Sequence, residues 1–169
     1  MILEHRSQSR IRRFRDVEQT PKGKPSGLWF SSPGVWRSWA QDESAAWEMT
    51  MEIADDEAFC EYPWIADTRQ IKIIKVDMSS QDQLDRFIDR YKFIGCEYQV
   101  DWPKVRLEFG GVYFHNVQSM PSSYYVKFNH SDGCWIISID IDSVCIWNKQ
   151  ALGPASWSIS HILYYSRRI

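Results

Sequence analysis

Lys24-Pro25-Ser26-Gly27-Leu28-Trp29-Phe30-Ser31-Ser32-Pro33-Gly34-Val35-Trp36-Arg37-Ser38-Trp39-Ala40 is the stretch on which the reading of this chain turns. A proline-bracketed loop, a short aromatic strand, a hydroxyl pair and a helix start follow one another within it. Ser32 suits an N-cap and Pro33 the first helical position. Val35, Trp36, Trp39 and Ala40 then share one helical face. Such a unit can pack as plain core. It can also wall a ligand site, because an aromatic ring stacks on a heterocycle and Ser31 or Ser32 can donate to a ribose or phosphate.

Downstream, Ile71–Val76 is rich in β-branched residues and predicts a strand. Ser80 with Gln83 forms a capping box. Leu84, Phe87, Ile88 and Tyr91 follow at i, i+3, i+4, i+7, which predicts an amphipathic helix. Asp101 and Pro103 predict a second, shorter capped helix, ended by Gly110-Gly111. Val112–His115, Tyr124–Phe128, Cys134–Ile141 and Val144–Trp147 read as strands, and Trp157–Tyr165 closes the chain with a mixed apolar stretch. Upstream, Ile11–Val17 reads as a basic strand, preceded by a basic N-terminal arm over residues 1–10. Residues 50–66 show no clean period. Strands and helices in this mixture predict an α+β fold, with residues 11–169 as one domain.

The chain has 169 residues, with 44% hydrophobic and 25% charged, which excludes a mostly disordered protein. Nine tryptophans raise the aromatic share to 15%. That is enough ring area for a dense core with some left to line a pocket. A net charge of −2 gives no global field for nucleic acid. Five arginines crowd the first fifteen residues (Arg6, Arg10, Arg12, Arg13, Arg15), so a phosphate contact or a nucleic-acid contact there stands beside a plain solvated arm. No run is long and apolar enough for a bilayer, and no signal-peptide core opens the chain, so a cytoplasmic protein with no membrane partner is expected. Cys60, Cys96, Cys134 and Cys145 have neither CxxC nor zinc spacing, and the four histidines share no ligand spacing, so no metal site is expected.

The Lys24–Ala40 segment resembles the second motif of the ADP-ribosyltransferase-like fold, a Gly-aromatic-aromatic-hydroxyl strand running into a helix that ends near Trp-Ala. The chain from about residue 11 to 152 also resembles a family of short, uncharacterised bacterial and viral proteins. The shared features are Lys24–Trp29, Asp101–Val105, Phe109–Val112, and Trp135, Asp140, Ser143, Cys145, Ile146 and Trp147. The resemblance implies a compact ADP-ribosyltransferase-like domain, with short, twisted, antiparallel-rich sheets and two or three flanking helices. It implies an NAD site: Arg15 (or Arg13) on the diphosphate, Gly27–Ser31 on the nicotinamide amide with Ser31 and Ser32 in support, and Trp29, Trp36 or Tyr125 on the ring. It implies transfer of ADP-ribose to a macromolecular acceptor through an oxocarbenium-like ribose. Ser143 stands where that fold carries its glutamate, and Gly110 where it carries an aspartate before a glycine. Asp140 and Asp142 lie near enough to supply a carboxylate. The alternative is a non-catalytic phage or mobile-element protein on the same fold that occupies a host protein.

Overall fold

The computed structural model describes residues 1–7, 11, 13–21, 23–35, 47–52, 58–65, 71–124, 135–152 and 158–161. Ten strands and two α-helices are laid out among them. The strands are β1 (Ile2–Ser7), β2 (Leu28–Ser31), β3 (Trp47–Glu52), β4 (Phe59–Cys60), β5 (Ile73–Asp77), β6 (Lys92–Phe93), β7 (Cys96–Val100), β8 (Gly111–His115), β9 (Ser143–Ile146) and β10 (Ser158–His161). The helices are α1 (Gln81–Tyr91) and α2 (Trp102–Glu108).

Eight strands make one mixed sheet in the order β10-β3-β1-β2-β9-β8-β5-β4, and β6-β7 form a separate antiparallel pair. β4, β5 and β8 run parallel; every other pairing in the large sheet is antiparallel. The parallel step from β5 to β8 is made by the segment carrying α1 and α2, as such a crossover requires. The fold is therefore α+β and rich in antiparallel pairs, as the sequence predicts.

The sheet is covered on both faces. Ile74, Val76, Val112, Phe114 and Cys145 pack with Leu84, Phe87 and Tyr91 of α1 and Trp102 and Val105 of α2. Their strand neighbours Ile73, Val144 and Ile146 point the opposite way and join Leu3, Phe30, Met51, Ala151 and Leu152. Two-sided burial is why β9 is buried along its whole length and reads as an unbroken run rather than an alternating one. Trp102, Trp135 and Trp147 are fully buried; these three tryptophans are core.

The helix after Ser80 forms as predicted. Leu84, Phe87, Ile88 and Tyr91 are its buried residues, and the Ser80 hydroxyl accepts from Gln83 N. Replacing Ser80 with Ala leaves that N–H without its acceptor, so a loss of about 1 kcal/mol is expected. A lowered urea midpoint at unchanged slope is the readout, and an unchanged midpoint removes the cap's contribution. Asp101 caps α2 in the same way, with Pro103 in the first turn.

Three expectations are corrected. Within the expected basic arm, Ile2–Ser7 is a paired strand: β1 lies inside the sheet between β2 and β3, with Leu3 and Glu4 buried. The arginine count masks it, because only the backbone pairing, not an apolar face, defines this strand. Second, the described residues of 11–17 form no strand. Val17 N instead donates to Trp147 O at 2.8 Å, and Ile11 and Phe14 lie on the second core. Third, the described part of Cys134–Ile141 forms no strand. Ile136–Ser138 is a 3₁₀ turn, with Ser138 N and Ile139 N bonding back to Trp135 and Ile136. It tucks Trp135, Ile136 and Ile139 inward together, which a strand's alternation cannot do. Of the Tyr124–Phe128 stretch only Tyr124 is described, at the end of a helical turn. β10 falls within Trp157–Tyr165. The expected helix after Ser32 lies outside the described residues beyond Val35.

Candidate functional site

Strand β2 sets the site. Its register on β9 pairs Trp29 with Cys145 and Ser31 with Ser143. Alternation therefore puts Trp29, Ser31, Ser143 and Cys145 on one face. Gly27, just before the strand, allows the approach. A Cβ there would meet Ile146 O at 2.4 Å and Cys145 Sγ at 3.0 Å.

The loop ahead of β2 is fixed by side chains from elsewhere in the chain. Gln19 brackets it, accepting from Ser26 N at 2.9 Å and donating to Ser26 O at 2.6 Å. Gly23 N donates to Gln99 Oε1 at 3.0 Å, and Trp102 Nε1 donates to Gly23 O at 2.7 Å. On the far side of Lys24, Cys145 Sγ donates to Pro25 O at 3.6 Å. Burial pushes the Cys145 thiol well up, against the opposing pull of Lys24, so it stays protonated and structural.

Between this loop, β2 and the segment entering β9 lies a cleft of about 330 Å³. Lys24, Trp29, Ser138, Asp140 and Ser143 line it, with Ile139 and Ile141. Trp29 is half-buried and stacks on Phe114, with centroids 6.2 Å apart and planes at 18°. Lys24 Nζ sits 5.5 Å from the Trp29 ring centroid. Desolvation lowers the Lys24 pKa, opposed by the charges of Asp140 and Cys145. Ser143 Oγ donates to Ile141 O at 2.8 Å and keeps its lone pairs for a further donor.

The cleft thus brings together three of the predicted residues, Trp29, Asp140 and Ser143. Gly27 and Ser31 support it from β2. Ser31 is buried, and its hydroxyl donates to Ser32 O at 3.3 Å, whereas Ser32 is exposed. Arg15 is exposed and does not line the cleft. Its neighbour Asp16 accepts from Lys149 N and Val17 bonds Trp147, which places this segment at the end of β9 away from Asp140. Trp36 and Tyr125 lie outside the described residues. The backbone of Gly27–Ser31 is also less open than expected: β9 pairs with Leu28–Ser31, and His5 Nδ1 lies 2.6 Å from Trp29 O. Burial lowers the His5 pKa, so a neutral ring donates that bond.

Lys24, His5 and Glu4 were not singled out as site residues from the sequence. Glu4 is buried, registers with Ser31 and accepts from Gly34 N at 2.6 Å. Their signal is long-range: His5 and Glu4 depend on β1 pairing with β2, and Lys24 on Gln99, Trp102 and Cys145. Among the described residues no group of three His, Cys, Asp or Glu is placed to hold a metal, and no helix is long and apolar enough to cross a membrane. Comparison with known proteins leaves the cleft to speak for itself: no protein-family profile, no curated protein and no solved structure matches the chain.

Proposed function

We propose that the cleft binds NAD or a related nucleotide, in the manner of an ADP-ribosyltransferase-like domain. The carrying observation is the meeting of Trp29 with Asp140 and Ser143 across one cleft of about 330 Å³. That volume suits the ring and ribose of a nucleotide half. The heterocycle packs on Trp29. The ribose faces Asp140 and Ser143. With His5 and β9 occupying the β2 backbone, the ring is held by contact with Trp29 rather than by backbone bonds from β2, and stacking on the indole displaces the Lys24 ammonium from over it. Asp140 is exposed at the cleft, so its carboxylate is free to stabilise an oxocarbenium-like ribose electrostatically. Ser143 accepts from a ribose hydroxyl. Transfer then breaks the bond between the ribose C1 and the nicotinamide nitrogen, nicotinamide leaves with the bonding pair, and a nucleophile of a macromolecular acceptor bonds to C1 and gives up its proton to solvent.

The competing host-protein reading calls for an exposed aromatic patch. The large exposed apolar side chains among the described residues are Met1, Ile2, Ile65, Ile94 and Leu107, none of them aromatic. The cleft reading rests instead on the residues that line the cleft.

Calorimetric titration with NAD tests it. Saturable binding is expected, and Trp29→Leu should weaken it about 5- to 100-fold, the worth of one stacked base. Asp140→Asn should keep binding and lower NAD turnover about a hundredfold. No heat at millimolar NAD overturns the proposal. Binding unchanged in Trp29→Leu moves the ligand elsewhere. Turnover unchanged in Asp140→Asn removes the carboxylate's role.

A further inference from the structure

We propose that Lys24 is the anion seat of the cleft, and that the preferred ligand is a phosphorylated nucleoside whose phosphate lies on Lys24 while its ring lies on Trp29. The proposal rests on the nucleotide reading of the cleft and assigns its charged end.

Lys24 is placed by its neighbours rather than by its own side chain. Gly23 is held on both its N–H and its carbonyl by Gln99 and Trp102, and Pro25 is held by Cys145. Gln99 and Trp102 are at most 2% exposed, and Cys145 is fully enclosed. The Lys24 backbone is thus anchored to the core on either side, and its ammonium overhangs the cleft without having to be recruited there.

The ammonium has a ring beneath it and no ion pair among the described residues. Asp140 acts on it through charge at longer range. An exposed ammonium that overhangs the cleft, with no anion in contact among the described residues, is available to pair with an incoming phosphate. Desolvation depresses its pKa, which agrees with this geometry. The arginine that the sequence nominates for a diphosphate, Arg15, lies at the wrong end of β9. Asp140 also lines the cleft, so a phosphate on Lys24 with the neutral ribose towards Asp140 is the charge pattern that fits.

The test uses paired ligands on the full chain. Nicotinamide mononucleotide and nicotinamide riboside differ only by the phosphate. The mononucleotide should bind at least tenfold tighter. That gap should collapse in Lys24→Met and survive in Lys24→Arg, with circular dichroism confirming that each variant is folded. A separate arm reads the anion alone: pyrophosphate should slow acetylation of Lys24, followed by peptide mass spectrometry. Equal affinity for the two ligands, with no pyrophosphate protection, overturns the anion seat while leaving the ring site in place. Protection by pyrophosphate with no binding of either nicotinamide compound overturns the nucleotide reading and leaves the anion seat standing. A gap that persists in Lys24→Met assigns the phosphate to another group and also overturns the proposal.

Discussion

Trp102→Ala is expected to remove a large share of the protein's stability. The Trp102 ring is fully buried and packs against Phe87, Phe114, Trp135 and Trp147 at centroid distances of 6.1, 6.3, 5.5 and 6.4 Å. Cutting such a ring back to a methyl costs about 3–5 kcal/mol, because four rigid rings cannot collapse into the space. Domains of this size hold only about 5–15 kcal/mol in total. Urea unfolding should show the midpoint falling steeply, and a midpoint within experimental error of the parent would refute the packing account. Trp102→Phe separates ring from N–H. It keeps most of the volume but leaves Gly23 O without its donor, for a cost of about 1–3 kcal/mol. The variant should fold, and it should bind nucleotide more weakly, because the loop that carries Lys24 has lost one of its anchors. Weaker stability with undiminished binding would mean that the anchor serves the core alone.

Gly27→Val is expected to part β2 from β9. The nearest atom to a Cβ at this position is a backbone oxygen, Ile146 O at 2.4 Å, so no rotamer change relieves the clash. The backbone at φ 159° also lies where residues with a Cβ are rarely found, so the conformation adds to the objection raised by the added atoms. Gly111 meets β9 from its other neighbour, with a Cβ position 2.8 Å from Cys145 O. β9 is therefore hemmed by a glycine on each side and has nowhere to shift. Overpacking costs about 1–3 kcal/mol even where neighbours can yield, and here the loss should reach or exceed the top of that range. Loss of nucleotide binding should accompany it, since Trp29 and Ser143 are positioned by this pairing. Hydrogen exchange of the Leu28–Ser31 amides reads the effect directly. Parent-like protection in the valine variant would contradict the close approach.

The parts of the fold that could be read in the chain are those fixed by neighbours a few residues away. Ser80 and Gln83 announce α1, and its four buried residues fall at the helical spacing. Asp101 and Pro103 announce α2. β2, β5, β8 and β9 stand out because apolar, β-branched or aromatic residues fill them. β1 does not, because its burial follows no alternation and Glu4 and Arg6 occupy the interior of a paired strand. The run Ile136-Ile137-Ser138-Ile139 suits a strand by composition, yet Trp135 and Ile136 both turn inward, which takes a tight turn. The same division holds in the cleft. Trp29, Asp140 and Ser143 came from a local motif and a strand pattern. Lys24 could not, because its place over Trp29 depends on Gln99, Trp102 and Cys145, about 75 to 120 residues further along. Arg15 was a fair choice by charge, but the Val17–Trp147 bond carries its segment past the cleft.

The junction of β2 with β9 also orders events in time. β1, β2 and β3 can pair as soon as the first third of the chain exists, whereas the partner of Ser31 is Ser143. At a synthesis rate of about 5–20 residues per second, the edge of β2 waits roughly 6 to 22 seconds for β9 to be made. During that interval the cleft lacks Asp140 and Ser143, and the strand edge presents unpaired amides. The cleft is thus one of the last parts of the molecule to come into being, completed only when a late strand meets an early one.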